Sequence, residues 1–526
     1  MIPRIIHQTW KTHEVPERFQ AWSKTWRHLN PGWEYRLWSD RDLLEFVAAE
    51  YPGFLELFCS YSQGVQRADA ARYMLLHHFG GLYADIDTEC RQSLASLEAE
   101  TRVVLAEEPR THWKPSSEPR GLPYFLFNGV MASPAGHPFW PFLLERMRDA
   151  RHARDVLDST GPCLLTACQI AYPRPADIRV EGPMLFNPVD VHGAWSDGDR
   201  STCLAVHHWA GTWWNPGKRS WLGTKKNSVL KRVYRARAAL TEGKKGVDPA
   251  QVRAAICAEA LSRDLPTGNN ISILVPVRDA SQHIERFIRS VEALDWPKDR
   301  IKLVFCEGDS KDDSFARLSS AAVRLKADFR DVIVFQSPSG LKIDRSRRSH
   351  RKVQRVRRAA LAKARNALID RGVDDTDDWA LWIDVDVWRF PEDIVSTLLE
   401  AKARIVVPDC VTIPDGPSFD QNSFLTMPVI RDYRYYRMIY DGLFQPPSHY
   451  WHRRHLSDLR HSDRVPLDSV GGTMLLVDAA LHRGGLRFPE QPYDDLIETE
   501  AFGRLARDVG VTPIGLPRVQ IMHVPW

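Results

Sequence analysis

Short apolar runs alternate with amphipathic segments through the first 217 residues, beginning with Pro3-Arg-Ile-Ile-His-Gln-Thr-Trp10 and Trp33-Glu-Tyr-Arg-Leu-Trp38. Strand-length runs interleaved with helical spacing predict an α/β domain. From Gln63 to Phe79, the residues Val65, Ala68, Arg72, Leu75, Leu76 and Phe79 recur at helical spacing. Gly80-Gly81 then stops the helix, and Leu82-Tyr-Ala-Asp-Ile-Asp87 reads as a strand ending in acid. The same alternation restarts later, with strands expected at Ile271–Val277, Ile301–Cys306, Val332–Phe335 and Trp379–Asp384. Helices are expected near 281–293 and 312–326, and a long basic one ends near Arg371. The pattern therefore predicts two α/β domains, 1–217 and 266–526, joined by a basic linker at 218–265 that is expected to be helical.

Length agrees, because 526 residues exceed what one ordinary hydrophobic core organises. A hydrophobic content of 43% with 26% charged residues excludes a disordered or fibrous chain. No stretch reaches the roughly 20 apolar residues of a membrane-spanning helix, and Met1 leads directly into Pro3 and Arg4, so a cytoplasmic chain is expected. The eight cysteines form no C-x-x-C pair, which argues against a zinc site and a disulfide framework.

A net charge of +4 is too small for a dedicated nucleic-acid binder, and none is expected as partner. The charge is uneven, however. Between Lys218 and Lys245 ten Lys or Arg face the single acid Glu242. Trp213, Trp214, Trp221, Leu222, Val229, Leu230 and Val233 are interleaved with them, which suits either peripheral docking on an anionic inner membrane or an interdomain helix. Lys342 to Arg365 holds eleven Lys or Arg against Asp344 alone. That tract suits an anionic donor or a lipid diphosphate acceptor, or is a solvated helix face.

Asp-x-Asp occurs at five places, 40/42, 85/87, 197/199, 375/377 and 384/386. Three lie in polar surroundings typical of turns and helix starts. Asp85/Asp87 and Asp384/Asp386 differ, because each terminates a strongly apolar strand and so belongs at the carboxyl edge of a sheet, where α/β proteins place ligands. In a strand, residues two apart share a face, so both carboxylates can look into one cleft. Paired carboxylates repel unless neutralised, either by a divalent cation that also takes a diphosphate or by arginines. Each half also finishes on a strand bearing histidine, Val206-His-His208 and Ile521-Met-His523.

Pro3–Trp10, Arg67-Ala-Asp-Ala-Ala-Arg-Tyr73 and Gly80–Asp87 closely resemble glycosyltransferase family 32, which includes the fungal initiating α-1,6-mannosyltransferase. Asn128 in Phe127-Asn-Gly-Val, Gly136-His-Pro-Phe139 and His208-Trp-Ala-Gly-Thr-Trp213 fit the later part of that pattern. Ile273–Ala280, Lys363-Ala-Arg-Asn366, Trp379–Asp386, Ile405-Val-Val-Pro408, Gly471–Val477 and Glu498-Thr-Glu-Ala-Phe-Gly503 resemble glycosyltransferase family 62, the mannan-polymerase subunits of the fungal Golgi. The resemblances imply two GT-A, Rossmann-like domains in tandem, each a retaining transferase that binds a nucleotide sugar and one Mn²⁺ or Mg²⁺. The implied donor is GDP-mannose for the second module, with UDP-sugars open to the first. The implied acceptor is a growing bacterial surface or lipid-linked polysaccharide, or capsule, served by two transferases or by one with a scaffold module.

The resemblance also implies roles. In the first module Asp87 and His208 would hold the metal, with His207 able to exchange roles, and Asp85 would touch the donor. Arg67 would steady the diphosphate and Asp69 the sugar hydroxyls, with Arg72 and Asn128 beside them; a helix-surface ion pair is the plain alternative. In the second module Asp386 and His523 would hold the metal and Asp384 the donor, with Arg365 and Asn366 approaching it. Arg278 and Asp309 would lie under the nucleoside or else serve their own loops. Glu498 and Glu500 would orient the acceptor hydroxyl or act as base, unless they only favour a helix N-terminus.

Overall fold

The computed structural model describes residues 1–211, 231–236, 248–341, 343, 347–428, 431–448 and 450–524, with side chains 112–115 also left out. The interleaved tryptophans 213, 214 and 221, with residues 218–230 and 237–247 of the expected linker, therefore lie outside the described residues. Two compact units are present: Met1–Gly217 with Asp458–Asp463, and Lys218–Ser457 with Arg464–Trp526. Assignment of the six-residue segment Asp458–Asp463 to the first unit has no signal in the sequence pattern.

The first unit is built on β1 (Ile5–Thr9), β2 (Glu34–Trp38), β3 (Gly81–Ala84), β4 (Thr88–Cys90), β5 (Val103–Glu107), β6 (Leu126–Ser133), β7 (Ile178–Glu181) and β8 (Ala205–His207). Six of these form one sheet in the order β2-β1-β3-β6-β5-β7, while β4 pairs with β8 alone. β1, β2 and β3 are mutually parallel, and β6 runs against β3. The strand order reverses direction at β1 and β3, which opens a crevice beyond their carboxyl ends. Helices α1 (Glu17–Leu29) and α2 (Gly64–His78) flank the sheet. α2 starts on a reciprocal cap between Gln63 and Gln66. It ends where Gly80 and Gly81 take φ of +66° and +91°, and a Cβ on Gly80 would meet the Ala135 nitrogen at 2.5 Å. Only glycine turns the chain this sharply from α2 into β3.

The second unit repeats the plan on a larger scale. β9 (Ile271–Val277), β10 (Ile301–Glu307), β11 (Asp331–Gln336), β12 (Trp379–Ile383), β13 (Val387–Arg389), β14 (Ile405–Val411), β15 (Met474–Asp478) and β16 (Ile514–His523) stand in the order β11-β10-β9-β12-β15-β14-β16-β13. β9, β10, β11 and β12 are parallel to one another, and β15 runs against both β12 and β14. Buried on both faces, these strands are near-continuous apolar runs such as Trp379-Ala-Leu-Trp-Ile383. α3 (Ser281–Glu292), α4 (Gln354–Gly372) and α5 (Glu498–Asp508) cover the sheet. α4 lies so close that a Cβ on Gly372 would meet Leu274 and Val304 at 2.9 Å. Both units thus have the α/β, Rossmann-like architecture expected of GT-A domains. Among the described residues no helix is long and apolar enough to cross a membrane.

Candidate active sites

The two Asp-x-Asp motifs do not lie within strands, as the sequence pattern suggests. β3 ends at Ala84 and β12 at Ile383, and each motif forms the tight turn into a short following strand. The Asp85 carbonyl accepts from the Thr88 backbone at 3.1 Å and from its hydroxyl at 2.6 Å. The Asp384 carbonyl accepts from the Val387 N–H at 3.0 Å. The turn, rather than strand alternation, brings each pair of carboxylates to one place.

In the first unit Asp85 is gripped from the sheet and from α2. Its N–H donates to the Gly129 carbonyl at 2.7 Å, and its Oδ1 accepts from the Tyr83 hydroxyl at 2.9 Å and contacts Arg72 Nη2 at 3.1 Å. Arg72 also meets Asp69 at 3.2 Å and donates to the Asn128 carbonyl at 2.7 Å. Asp69 in turn accepts from Asn128 Nδ2 and Thr160 Oγ1, both at 3.0 Å. With Asp69 only 3% exposed, this carboxylate is occupied in holding Arg72, a use that corrects the expected contact with sugar hydroxyls. Arg67 points away, donating to the Tyr61 carbonyl at 2.6 Å, and joins none of these groups.

The histidine beside Asp87 is His207, and this corrects the expectation of His208. His207 Nε2 lies 3.3 Å from Asp87 Oδ1. Asp87 Oδ2 accepts from the Ala210 N–H at 3.0 Å. His208 faces the other way, 3.0 Å from Glu89 and stacked on Trp22 at a centroid distance of 4.0 Å. The reason is register: β8 ends at His207, opposite Thr88 in β4. Alternation then sends His208 to the opposite side. Ligand atoms of Asp85, Asp87 and His207 all lie within 4.8 Å of one another. Two carboxylates and an imidazole form a donor set suited to Mn²⁺ or Mg²⁺. His207 Nδ1 is buried with no hydrogen-bond partner among the described residues.

Burial raises the Asp85 carboxyl against the pull of Arg72, and the charge of Asp87 adds to the rise. Burial acts the same way on Asp87, but its bond to His207 and the Ala210 N–H outweigh it and hold that carboxyl below its ordinary value. Burial works against the charged form of His207, yet Asp87 and Asp85 together raise its pKa. The two carboxylates favour positive charge at this place, which a divalent cation would supply.

The second unit repeats these relationships. Asp384 N–H donates to the Thr473 carbonyl at 2.9 Å, and Asp384 Oδ1 meets Arg365 Nη2 from α4 at 3.4 Å. Asp386 Oδ1 lies 3.3 Å from His523 Nε2, whose ring stacks on Phe419 at 4.1 Å. Burial and the neighbouring Asp386 and Asp420 push the Asp384 carboxyl up to about 7 against the attraction of Arg365. Burial likewise raises Asp386, but His523 overcomes it and leaves that carboxyl below its ordinary value. Arg365 is 5% exposed, with Nε and Nη1 lacking partners among the described residues. Asp420, which accepts from Thr473 Oγ1 at 3.0 Å, is absent from the motif reading because its loop carries no periodic signal.

The remaining residues take these places, and Arg278 and Asp309 serve their own loops, one of the two roles expected of them. Asn366 donates to the Phe488 carbonyl and accepts from the Phe488 N–H, both at 3.0 Å, so its amide clamps backbone. Asp309 accepts from the Ser339 N–H at 2.8 Å and its hydroxyl at 2.6 Å, which makes it a loop staple. Arg278 donates to the Leu341 carbonyl at 3.0 Å, and its buried Nε, which has no hydrogen-bond acceptor among the described residues, lies 3.9 Å from Asp279. Glu498 and Glu500, each 3% exposed, open α5 as foreseen but are consumed by arginines. Arg358 reaches Glu498 at 3.2 Å, and Arg453 makes a fork on Glu500 at 2.7 and 3.2 Å.

Residues 16–104 match the family described as glycosyltransferase sugar-binding region containing DXD motif, and residues 258–492 match the Anp1 family. The chain is 34% identical over 231 residues to inositol phosphoceramide mannosyltransferase 3 of Schizosaccharomyces pombe, covering 40% of this chain and 60% of that one. Over 199 residues it is 34% identical to mannosyl phosphorylinositol ceramide synthase SUR1 of Saccharomyces cerevisiae, covering 35% and 48%. The mannan polymerase II complex ANP1 subunit of Saccharomyces cerevisiae is 29% identical over 283 residues, covering 49% and 55%. The chain thus spans 60% or less of the length of these three relatives. The two family matches thus lie in tandem along the chain, the glycosyltransferase sugar-binding region containing DXD motif first and Anp1 second.

Proposed function

We propose that this chain is a metal-dependent, retaining glycosyltransferase with two modules, each moving a hexose from a nucleotide sugar to a glycan or lipid-linked acceptor. The observation that carries the reading is the repeated construction of Arg72–Asp85, Asp87–His207 and Arg365–Asp384, Asp386–His523 at the ends of equivalent strands. Mannose from GDP-mannose is the favoured donor of the second module, supported by the names of the relatives. The first module is assigned a hexose from a GDP- or UDP-sugar, and the acceptor a bacterial surface polysaccharide.

Asp87 with His207, and Asp386 with His523, would hold the divalent cation. When bound, it would neutralise the nucleoside diphosphate that departs. Arg72 and Arg365 bring fixed positive charge to the same edge, and their planar forks suit phosphate oxygens. Their neighbours hold them still, Asp69 and Asn128 for Arg72, the Trp382 and Phe488 rings for Arg365 at 5.6 and 5.4 Å.

A second reading, one active module beside an acceptor-binding scaffold, is favoured by a specific difference. Among the described residues only the first unit brings three ligand atoms within 4.8 Å. Asp87→Ala and Asp386→Ala, made separately and assayed against a panel of GDP- and UDP-hexoses with and without Mn²⁺, decide between the two. Loss of a different linkage in each variant supports two sites. Loss of all turnover in one and none in the other supports the scaffold, and metal-independent turnover in both rejects the proposal.

A further inference from the structure

The first half of α4 gathers arginines that the transfer chemistry above does not use. Arg357 is partly buried and, among the described residues, has no hydrogen-bond or ion-pair partner. Burial, and after it the charges of Arg358, Arg348 and Arg278 against the opposing acid Glu498, bring its pKa down to about 10. Its neighbours have spent only part of their capacity. Arg348 reaches Asp279 at 3.0 Å, Arg358 reaches Glu498 at 3.2 Å, and Arg278 donates to the Leu341 carbonyl at 3.0 Å. The Nε atoms of Arg278 and Arg358 are buried without a hydrogen-bond acceptor among the described residues, with Arg278 Nε 3.9 Å from Asp279.

Four guanidinium groups against Asp279, Glu498 and a more distant Asp309, 4.0 Å from Arg278, leave positive charge uncompensated in a partly buried place. Holding like charges together without water is costly unless an anion sits between them. Arg357 is eight residues before Arg365, about 12 Å along the helix axis at 1.5 Å per residue. The two arginines therefore stand at separate places along α4.

We propose that Arg278, Arg348, Arg357 and Arg358 form a binding site for a phosphate-class anion, a phosphomonoester or phosphodiester, separate from the diphosphate assigned to the Asp386 edge. The planar forks and unspent Nε donors match tetrahedral oxyanions. The site is read from its own charges and stands or falls apart from the transfer reaction.

The test uses the full chain in EDTA, so that no cation can bring phosphate to the aspartates. Inorganic phosphate is titrated calorimetrically and by thermal melting, and phosphatidylcholine vesicles with and without phosphatidylinositol are used in co-sedimentation. Phosphate should raise the melting temperature of the native chain, and Arg357→Met should weaken phosphate binding about tenfold, the effect of losing one charge-assisted contact. Without anion, Arg357→Met should melt no lower than the native chain, because it removes an uncompensated charge. Arg348→Gln, at a more exposed position, should also weaken phosphate binding and serves if the first variant does not fold. Vesicle binding that needs phosphatidylinositol and is competed by phosphate assigns a lipid headgroup as the source. Phosphate binding without vesicle binding assigns a soluble phosphate. Phosphate affinity unchanged in both variants overturns the proposal.

Discussion

His523 keeps its Nε2 3.3 Å from Asp386, the separation His207 keeps from Asp87 in the other unit. Each histidine ends a strand and stands, across an antiparallel pair, opposite the residue that follows Asp-x-Asp, Val387 for His523 and Thr88 for His207. The shared register makes a sharp prediction about adjacent histidines. His207→Ala should weaken Mn²⁺ binding by at least about tenfold, since even partners of ligands are worth that much. His208→Ala, which loses only Glu89 and the Trp22 stack, should change it by less than about threefold. Manganese titration followed by electron paramagnetic resonance separates the two, and equal effects would reject the assignment.

Gly472 gives a way to disturb Arg365 without touching it. A Cβ at this position would meet Arg365 Nη2 at 2.2 Å, so Gly472→Ala must push the guanidinium off Asp384. Losing one preorganised donor to a departing oxyanion typically costs about a hundredfold or more in turnover. The linkage made by the second module should fall by that order while the linkage that depends on Asp87 persists. Product analysis by mass spectrometry reads both in one reaction, and two undiminished linkages would remove Arg365 from the chemistry.

Much of this was legible in the pattern of apolar and acidic residues. The alternation that places β3, β12, α2 and α4 is strong because buried parallel strands and long helices have distinct periods. That two of five Asp-x-Asp motifs follow such strands was likewise readable, since burial of the preceding run sets them at a sheet edge. Register was not. Whether His207 or His208 faces Asp87 depends on how β8 pairs with β4, more than 110 residues away in sequence, and neighbouring histidines differ only in parity. The fates of Glu498 and Glu500 were hidden for a related reason. Their arginine partners lie 140 and 47 residues away, and a sequence that opens a helix with acid looks the same with or without them. Asn366 shows the limit of motif matching, because its amide is spent on the backbone of Phe488, 122 residues distant.

Asp69 should leave a signature in the pH dependence of stability. Burial pushes its carboxyl up to about 7, against the attraction of Arg72 and its hydrogen bonds to Thr160 and Asn128. In the unfolded chain the group titrates near 3.9. Between those values the folded state holds a proton that the unfolded state has released, so stability falls as pH rises from about 4 to 7. Asp69→Asn cannot titrate and lacks this slope. Urea unfolding at about pH 5 and pH 8 should therefore show the variant gaining on the native chain as pH rises. A constant difference between the two proteins would mean that Asp69 is ionised throughout.

Glu500 distinguishes a catalytic carboxylate from a structural one. Its two oxygens accept from Arg453 Nη1 and Nη2 at 2.7 and 3.2 Å, with Arg453 packed over Phe424 at 3.9 Å and both residues buried. Removing one member of a buried ion pair leaves a charge in a medium that cannot solvate it, at a cost of about 3–5 kcal/mol. Glu500→Leu should therefore lower the urea midpoint by that order. Combining it with Arg453→Leu should restore most of the loss, because apolar replacement of a whole buried pair is often neutral. If Glu500 instead served as base toward an acceptor hydroxyl, Glu500→Gln would keep native stability and lose turnover. The geometry predicts the reverse order, a variant whose folded fraction turns over normally with an unchanged acceptor KM but whose unfolding comes at lower urea.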